Sequence, residues 1–270
     1  MSAEPLDEIS NSNKTCEGLG GIKVQVNYND ISKKYDDVRS ADIELINLFF
    51  DMTTINENTK VLDFGCGTGN YADKLQRIIQ ARVYGVEPSE GMREKARQKN
   101  ASLSIVEGNH NNIPFKENFF DFIYMTDVIH HIPDINRMFE EINRVLVIEG
   151  KLCICTQSHE QIDNRFYVKY FPSTAIVDKK RYPDVDVIKA AGEKNRFRYL
   201  KNIVISEENI INIGMDFVEL VRDKGYSMFH LIPEEEYKIG LSRLEEDMNK
   251  RGLAVKIPGE SLVWFEKEKK

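Results

Sequence analysis

Val61-Leu62-Asp63-Phe64-Gly65-Cys66-Gly67-Thr68-Gly69-Asn70-Tyr71 decides the fold. It reads as a short apolar strand containing an acid, three glycines at alternate positions, and the start of a helix. Gly65, Gly67 and Gly69 let the chain turn with φ > 0 and let a ligand approach main-chain atoms that a Cβ would block. The turn is therefore expected to be a binding surface. By itself such a turn can also be no more than a tight strand-to-helix connection.

The spacing bears on which ligand. A nicotinamide dehydrogenase would carry G-x-G-x-x-G, with its third glycine at position 70, where this chain has Asn70. A pyrophosphate needs a helix N-terminus aimed at it, whereas adenosylmethionine brings a sulfonium and an amino-acid tail. Asp63 suits that cationic ligand, either through water to its ammonium group or by fixing the loop.

Outward from the turn the pattern alternates. Strands are expected at Val61–Phe64, Arg82–Val86, Leu103–Val106, Phe120–Met125 and Lys151–Thr156, with helices at Asn70–Ile79, Ser89–Gln98 and Ile135–Leu146. Strands alternating with helices imply a parallel sheet covered on both faces. Beyond Thr156, Asp186–Lys194 and Glu207–Lys224 read as helices, Pro233-Glu234-Glu235-Glu236 opens another that reaches about Arg251, and Ser261–Phe265 reads as a final strand. The first 22 residues are polar, without periodicity, and are expected to be mobile or ordered by ligand. The expected organisation is residues 1–45 as a lid segment with helices, 46–156 as the ligand-binding core, and 157–270 as a cap insertion that also completes the sheet, all one structural unit.

The 270 residues suffice for one large domain. The balance of 37 basic and 44 acidic residues, net charge -7, argues against a nucleic-acid partner and for a small-molecule substrate. No apolar run approaches the roughly 20 residues needed to cross a bilayer, and the acidic opening Met1-Ser2-Ala3-Glu4-Pro5 is unlike a signal peptide. A cytoplasmic location is expected. Cys16, Cys66, Cys153 and Cys155 make no C-x-x-C pair, and no Cys/His cluster suggests a metal. Cys153 and Cys155 share one strand face as small core residues. Cys66 lies inside the turn, where any small residue would serve.

Glu87 ends the second strand 18 residues after Gly69, close to the roughly 20-residue interval at which an acid meets ribose hydroxyls in doubly wound sheets. A favourable charge at the start of the next helix is the alternative. The loop Glu107-Gly108-Asn109-His110-Asn111-Asn112 follows the third strand, where the Asn109 amide, both donor and acceptor, can face an adenine edge or simply form a turn. The fourth strand empties into Thr126-Asp127-Val128-Ile129-His130-His131.

Taken in order, the glycine turn, Glu87, Gly108-Asn109, Ile113-Pro114-Phe115, Phe120-Asp121 and Ile129-His130-His131 resemble the class I S-adenosylmethionine-dependent methyltransferases, in particular the methyltransferase type 11 group. The resemblance covers about residues 60–156. It implies an α/β Rossmann-like, doubly wound, mostly parallel seven-stranded sheet with helices on both faces and a helical cap. It also implies S-adenosylmethionine as cofactor, S-adenosylhomocysteine as product, and no metal.

By the same resemblance, Asp63, Gly65, Cys66, Gly67 and Gly69 line the methionine and ribose side, Glu87 grips the ribose, and Pro88 with Met92 flanks the adenine. Asn109, beside His110, stands where the family often has Asp, and Thr126 stands where a backbone carbonyl commonly meets the ammonium group. Tyr28, Tyr35 and Arg39 resemble the family's lid, with Arg39 a candidate for the carboxylate. Phe171-Pro172, Arg181-Tyr182-Pro183 and Phe229 to Glu235 resemble the cap and tail of bacterial and archaeal members and do not name the acceptor.

Methyl transfer is an in-line displacement, so alignment and exclusion of water supply much of the acceleration. A base is needed only if the acceptor must lose a proton; His131 and His130 are the candidates. Packing against the sheet is the alternative for either ring. Tyr167, Tyr170 and Phe171 are candidates for an apolar acceptor pocket or a cation–π contact to the sulfonium, with a core role as the alternative. Two other functions fit some of these features: a SAM-binding regulator or partner subunit without catalysis, and a dehydrogenase. The oligomeric state is not readable here.

Overall fold

The protein, seen in a computed structural model, is described for residues 13–17, 23–27, 43–79, 82–207 and 209–269. Two N-terminal strands, β1 (Asn13–Glu17) and β2 (Lys23–Asn27), pair antiparallel. Then come α1 (Ile43–Met52), β3 (Lys60–Phe64), α2 (Asn70–Ile79), β4 (Arg82–Val86), α3 (Glu90–Lys99), β5 (Ser104–Val106), β6 (Phe120–Thr126), α4 (Ile135–Val145) and β7 (Leu146–Thr156). The C-terminal part holds α5 (His159–Asp163), α6 (Ser173–Arg181), α7 (Val185–Lys194), β8 (Phe197–Ile205), β9 (Ile210–Ile213), α8 (Met215–Arg222), α9 (Glu234–Arg251), β10 (Leu253–Lys256) and β11 (Glu260–Lys267).

The main sheet has seven strands in the order β5-β4-β3-β6-β7-β11-β8. The first five run parallel, and β11 enters antiparallel between β7 and β8. The order turns back at β3, whose neighbours are β4 on one side and β6 on the other. The carboxyl ends of β3 and β6 therefore open a crevice, the place where doubly wound sheets hold ligands.

Both faces of this sheet are buried, which explains the near-continuous apolar runs of the central strands. Successive side chains point to opposite faces. Leu62, Phe64, Ile123, Leu152 and Phe265 pack with Phe139 and Ile142 of α4 and Ile188 of α7. Val61, Phe122, Tyr124, Cys153 and Trp264 pack with Leu45 and Phe49 of α1 and Leu75 of α2. A third core, around Phe171, Val218, Phe229, Tyr237 and Leu244, belongs to the cap formed by α6, α8 and α9.

Three sequence expectations are corrected. Phe197–Ile205 is a strand that had no counterpart in the pattern reading, because its burial comes from pairing with β11 rather than from its own alternation. Glu207–Lys224 is not one helix: Ile210–Ile213 pairs with Leu253–Lys256, and the helix occupies only Met215–Arg222. The β-branched cluster Ile210-Ile211-Asn212-Ile213, punctuated by Gly214, favours that outcome. β1 lies within the first 22 residues, read from the sequence as aperiodic and mobile or ordered by ligand, and pairs with β2; backbone pairing does not require an apolar pattern there.

Candidate active site

The glycine turn is held from below by β4. Gly65 N–H and Cys66 N–H both donate to the Val86 carbonyl, at 2.7 and 3.1 Å. Gly65, Gly67 and Gly69 all have positive φ, of 77°, 54° and 75°. At Gly65 a second constraint operates: a Cβ there would lie 2.5 Å from Cγ2 of Val128, in the loop after β6. The two loops flanking the crevice thus meet where only a glycine fits.

Glu87, 9% exposed, ties the next loop to that turn. One carboxylate oxygen accepts the Gly67 N–H at 3.1 Å and the other accepts the Ser89 N–H at 2.8 Å. The Glu87 N–H donates to Val106 at the end of β5, at 3.1 Å. Behind it lies Arg93, a residue that motif reading passed over. Its buried guanidinium donates to the carbonyls of Glu87 and Pro88, both at 2.8 Å, and to Glu107 at 3.0 Å. Arg93 thereby fixes the loops after β4 and β5 together. Its position six residues after Glu87, on the first turns of a helix capped by Ser89, was the available signal.

Asp63 is 2% exposed. Burial pushes its carboxyl up to about 7 against the pull of the Tyr124 hydroxyl, and the Glu87 charge pushes the same way. Tyr124 Oη is itself buried without a hydrogen bond of normal length among the described residues. Burial also raises the Cys66 thiol, with Asp63 and Glu87 adding to it, so Cys66 stays an inert thiol.

The other loops sit at the same end of the sheet. Asn109 is exposed, and its Oδ1 accepts the Asn111 N–H at 2.8 Å, so one lone pair of the amide carbonyl is already committed. His110 is half-buried beside it. Pro88 is exposed and Met92 buried. Thr126 ends β6 half-buried. Asp127 follows with φ 56°, unusual for a residue with a side chain, and donates its N–H to Cys155 at 3.3 Å. His130 and His131 lie on a short 3-10 turn, Ile129–His131, with ring centroids 3.9 Å apart. His130 stacks on Tyr182 of the cap at 4.1 Å and 8°.

Of the aromatic trio, Tyr170 and Phe171 are packed inside the cap, Phe171 against Phe229 and Tyr170 with its hydroxyl on Asp247 at 2.7 Å. Tyr167 is half-buried beside Arg165. Tyr28, Tyr35 and Arg39 lie outside the described residues. A surface cavity of about 450 Å³, lined by Thr59, Asp121, Gly150 and Lys151 among others, is at the amino ends of β3, β6 and β7, the wrong end for the glycine turn. Among the described residues no group of three or more His, Cys, Asp or Glu could hold a metal ion, and no helix is long and apolar enough to cross a membrane.

Comparison with known proteins agrees with this geometry. Residues 62–154 match the family described as a methyltransferase domain. Demethylmenaquinone methyltransferase of Staphylococcus aureus is 28% identical over 158 residues, which is 53% of this chain and 65% of that protein. The match thus falls short of two thirds of the relative's length. A crystal structure from Anabaena variabilis, provisionally assigned as a methyltransferase of an antibiotic biosynthesis pathway, superposes with TM-score 0.68 at 21% identity over 84% of this chain and 98% of that one. The (4+2)-cyclase SpnF superposes with TM-score 0.56 at 15% identity over 83% and 80%. These likenesses establish the fold; the cyclase among them shows that the fold alone does not fix the reaction.

Proposed function

The chain carries a class I S-adenosylmethionine-dependent methyltransferase domain, and on that premise we propose that it transfers a methyl group from S-adenosylmethionine to a small-molecule acceptor. The observation that carries this reading is the clasp of Glu87 on Gly67, at the carboxyl ends of adjacent strands beside the crevice.

The residues present suit this cofactor. The positive-φ glycine turn leaves a cradle, and at Gly65 a side chain would close it against Val128. The Glu87 carboxylate stands at the glycine turn, where it accepts the Gly67 and Ser89 N–H groups, and each carboxylate oxygen can accept more than one hydrogen bond, as a contact to ribose hydroxyls requires. Asp63 is a buried acid whose ionised form a nearby cation would stabilise. Pro88 and Met92 border the adenine region, with Asn109 at its edge. When bound, S-adenosylmethionine supplies a methyl group activated by its sulfonium.

The chain's own contribution is placement. The loops after β3 and β6 set the crevice, and the cap residues above β6 and β7 exclude water from the acceptor side, which favours an in-line approach. His131 or His130 takes the proton where the acceptor must lose one. The name of the Staphylococcus aureus relative, a demethylmenaquinone methyltransferase, supports a quinone-like small-molecule acceptor.

The test is S-adenosylhomocysteine release by purified protein supplied with fractionated metabolite pools. Turnover that depends on one fraction is expected. Cofactor binding without turnover in any fraction would favour a regulatory role, and failure to bind would end the proposal.

A further inference from the structure

Above the carboxyl ends of β6 and β7, the cap places Arg165, Tyr167 and Tyr182 around one point. Arg165 is anchored on two sides: Nε donates to Gln157 at 2.6 Å, just after β7, and Nη1 pairs with Asp178. Asp178 is shared with Arg181. The Arg165 side chain is 91% buried, being 9% exposed. Its guanidinium carbon lies 5.3 Å from the Tyr182 ring centre and 5.9 Å from that of Tyr167.

Nη2 of Arg165 and the Tyr182 hydroxyl have no hydrogen bond of normal length among the described residues, and the Tyr167 hydroxyl meets only Arg165 itself. Burial raises both phenols, and the Arg165 charge is the chief influence pulling them back down. A guanidinium held between two phenol rings offers a donor set for an oxyanion. An anionic oxygen that accepts from these donors would gain charge-assisted hydrogen bonds. The wall beside it is aromatic: Tyr182 continues into the stacked His130 ring.

We propose that Arg165, Tyr167 and Tyr182 form an acceptor subsite for an anionic oxygen, so that the methyl acceptor is a small aromatic acid or an ionised phenol. This rests on the methyltransferase reading and narrows its substrate class. Anchoring by Gln157 and Asp178 keeps the guanidinium from turning away, and the position beside His130 puts the bound ring next to the candidate base.

The test is calorimetry on the full chain saturated with S-adenosylhomocysteine. The probes are para-hydroxybenzoate against its methyl ester, and para-nitrophenolate against para-nitroanisole. At least one anion should bind about tenfold or more tightly than its neutral partner, the scale of one charge-assisted hydrogen bond. The pair showing the preference tells a carboxylate acceptor from a phenolate one. Arg165→Met should bring the anion to the level of the neutral probe, and Tyr167→Phe, a milder change, should weaken the anion a few-fold; both variants should keep wild-type affinity for S-adenosylhomocysteine. Equal binding of anion and neutral partner in the wild type, or undiminished anion binding in Arg165→Met and Tyr167→Phe, would overturn the subsite while leaving the cofactor assignment intact. Failure of the wild type to bind S-adenosylhomocysteine would overturn both.

Discussion

The carboxylate of Glu87 accepts the main-chain N–H of Gly67 at 3.1 Å, across two adjacent parallel strands. One side chain therefore shapes the glycine turn as well as standing where the proposed function puts the ribose. Sequence spacing pointed only to the proposed ribose contact, not to the brace.

Glu87→Ala should accordingly lower both cofactor affinity and stability. The variant loses the bonds to Gly67 and Ser89, each of the kind that contributes about 1.5–3 kcal/mol when one partner is charged, with incomplete additivity. Urea denaturation of the ligand-free variant should show the loss before any ligand is added. Unchanged ligand-free stability combined with lost binding would mean that the brace to Gly67 contributes little.

Gly65→Ala should destabilise by about 1–3 kcal/mol, through a positive φ that alanine resists and overpacking against Val128. Adding Val128→Ala removes the methyls at 2.5 and 2.8 Å and leaves the nearest Val128 atom at 3.3 Å. A double-mutant cycle in chemical denaturation should then recover the steric share and leave the backbone share. Strict additivity would show that the two loops do not meet as described.

Asp63 makes the ligand-free protein pH-sensitive in an unusual direction. Its folded pKa, about 7, lies above the ordinary 3.8, so the native state holds a proton that the unfolded chain gives up. That contribution is fully present below the ordinary value and is lost as pH rises through about 7. Asp63→Asn should flatten this slope in thermal melts across the range. The affinity of S-adenosylmethionine, a cation, should rise over the same interval in the wild type and not in the variant.

Glu141 works in the opposite direction. It accepts the Ile113 N–H at 3.0 Å and pairs with Arg144 at 2.8 Å, and the Arg144 guanidinium holds its carboxyl below the usual range. Its support of the loop after β5 is present above the ordinary carboxylate pKa and is lost as pH falls through the lowered folded value. Protection factors in the segment 107–115, taken relative to the intrinsic exchange rate at each pH, should fall in acid, and Glu141→Gln should show lower protection already at neutral pH. Equal protection in variant and wild type would remove Glu141 from this role.

Much of the core was legible because its signals are local. The apolar run at Val61, the glycines, and Glu87 at the end of the next strand each report on their own few residues, and β3, β4 and their helices lie where spacing placed them. The cap resisted for the converse reason. Ile210–Ile213 becomes a strand only because Leu253–Lys256, some forty residues later, pairs with it, and its apolar spacing also fits a helix. Phe171 was a pocket candidate by composition, but Phe229 and Tyr237, far along the chain, take it into the cap core. Arg165 carried no motif at all: its meaning comes from Asp178, Gln157 and Tyr182, which the fold brings together.

The most direct measurement is calorimetric titration of the purified chain with S-adenosylhomocysteine, run in parallel on Gly67→Val and with NAD as the control ligand. Saturable one-to-one binding of S-adenosylhomocysteine to the wild type, lost in Gly67→Val and absent for NAD, is the expected result. Binding of NAD instead, or S-adenosylhomocysteine affinity unchanged in Gly67→Val, would contradict the assignment of the glycine turn as the methyl-donor site.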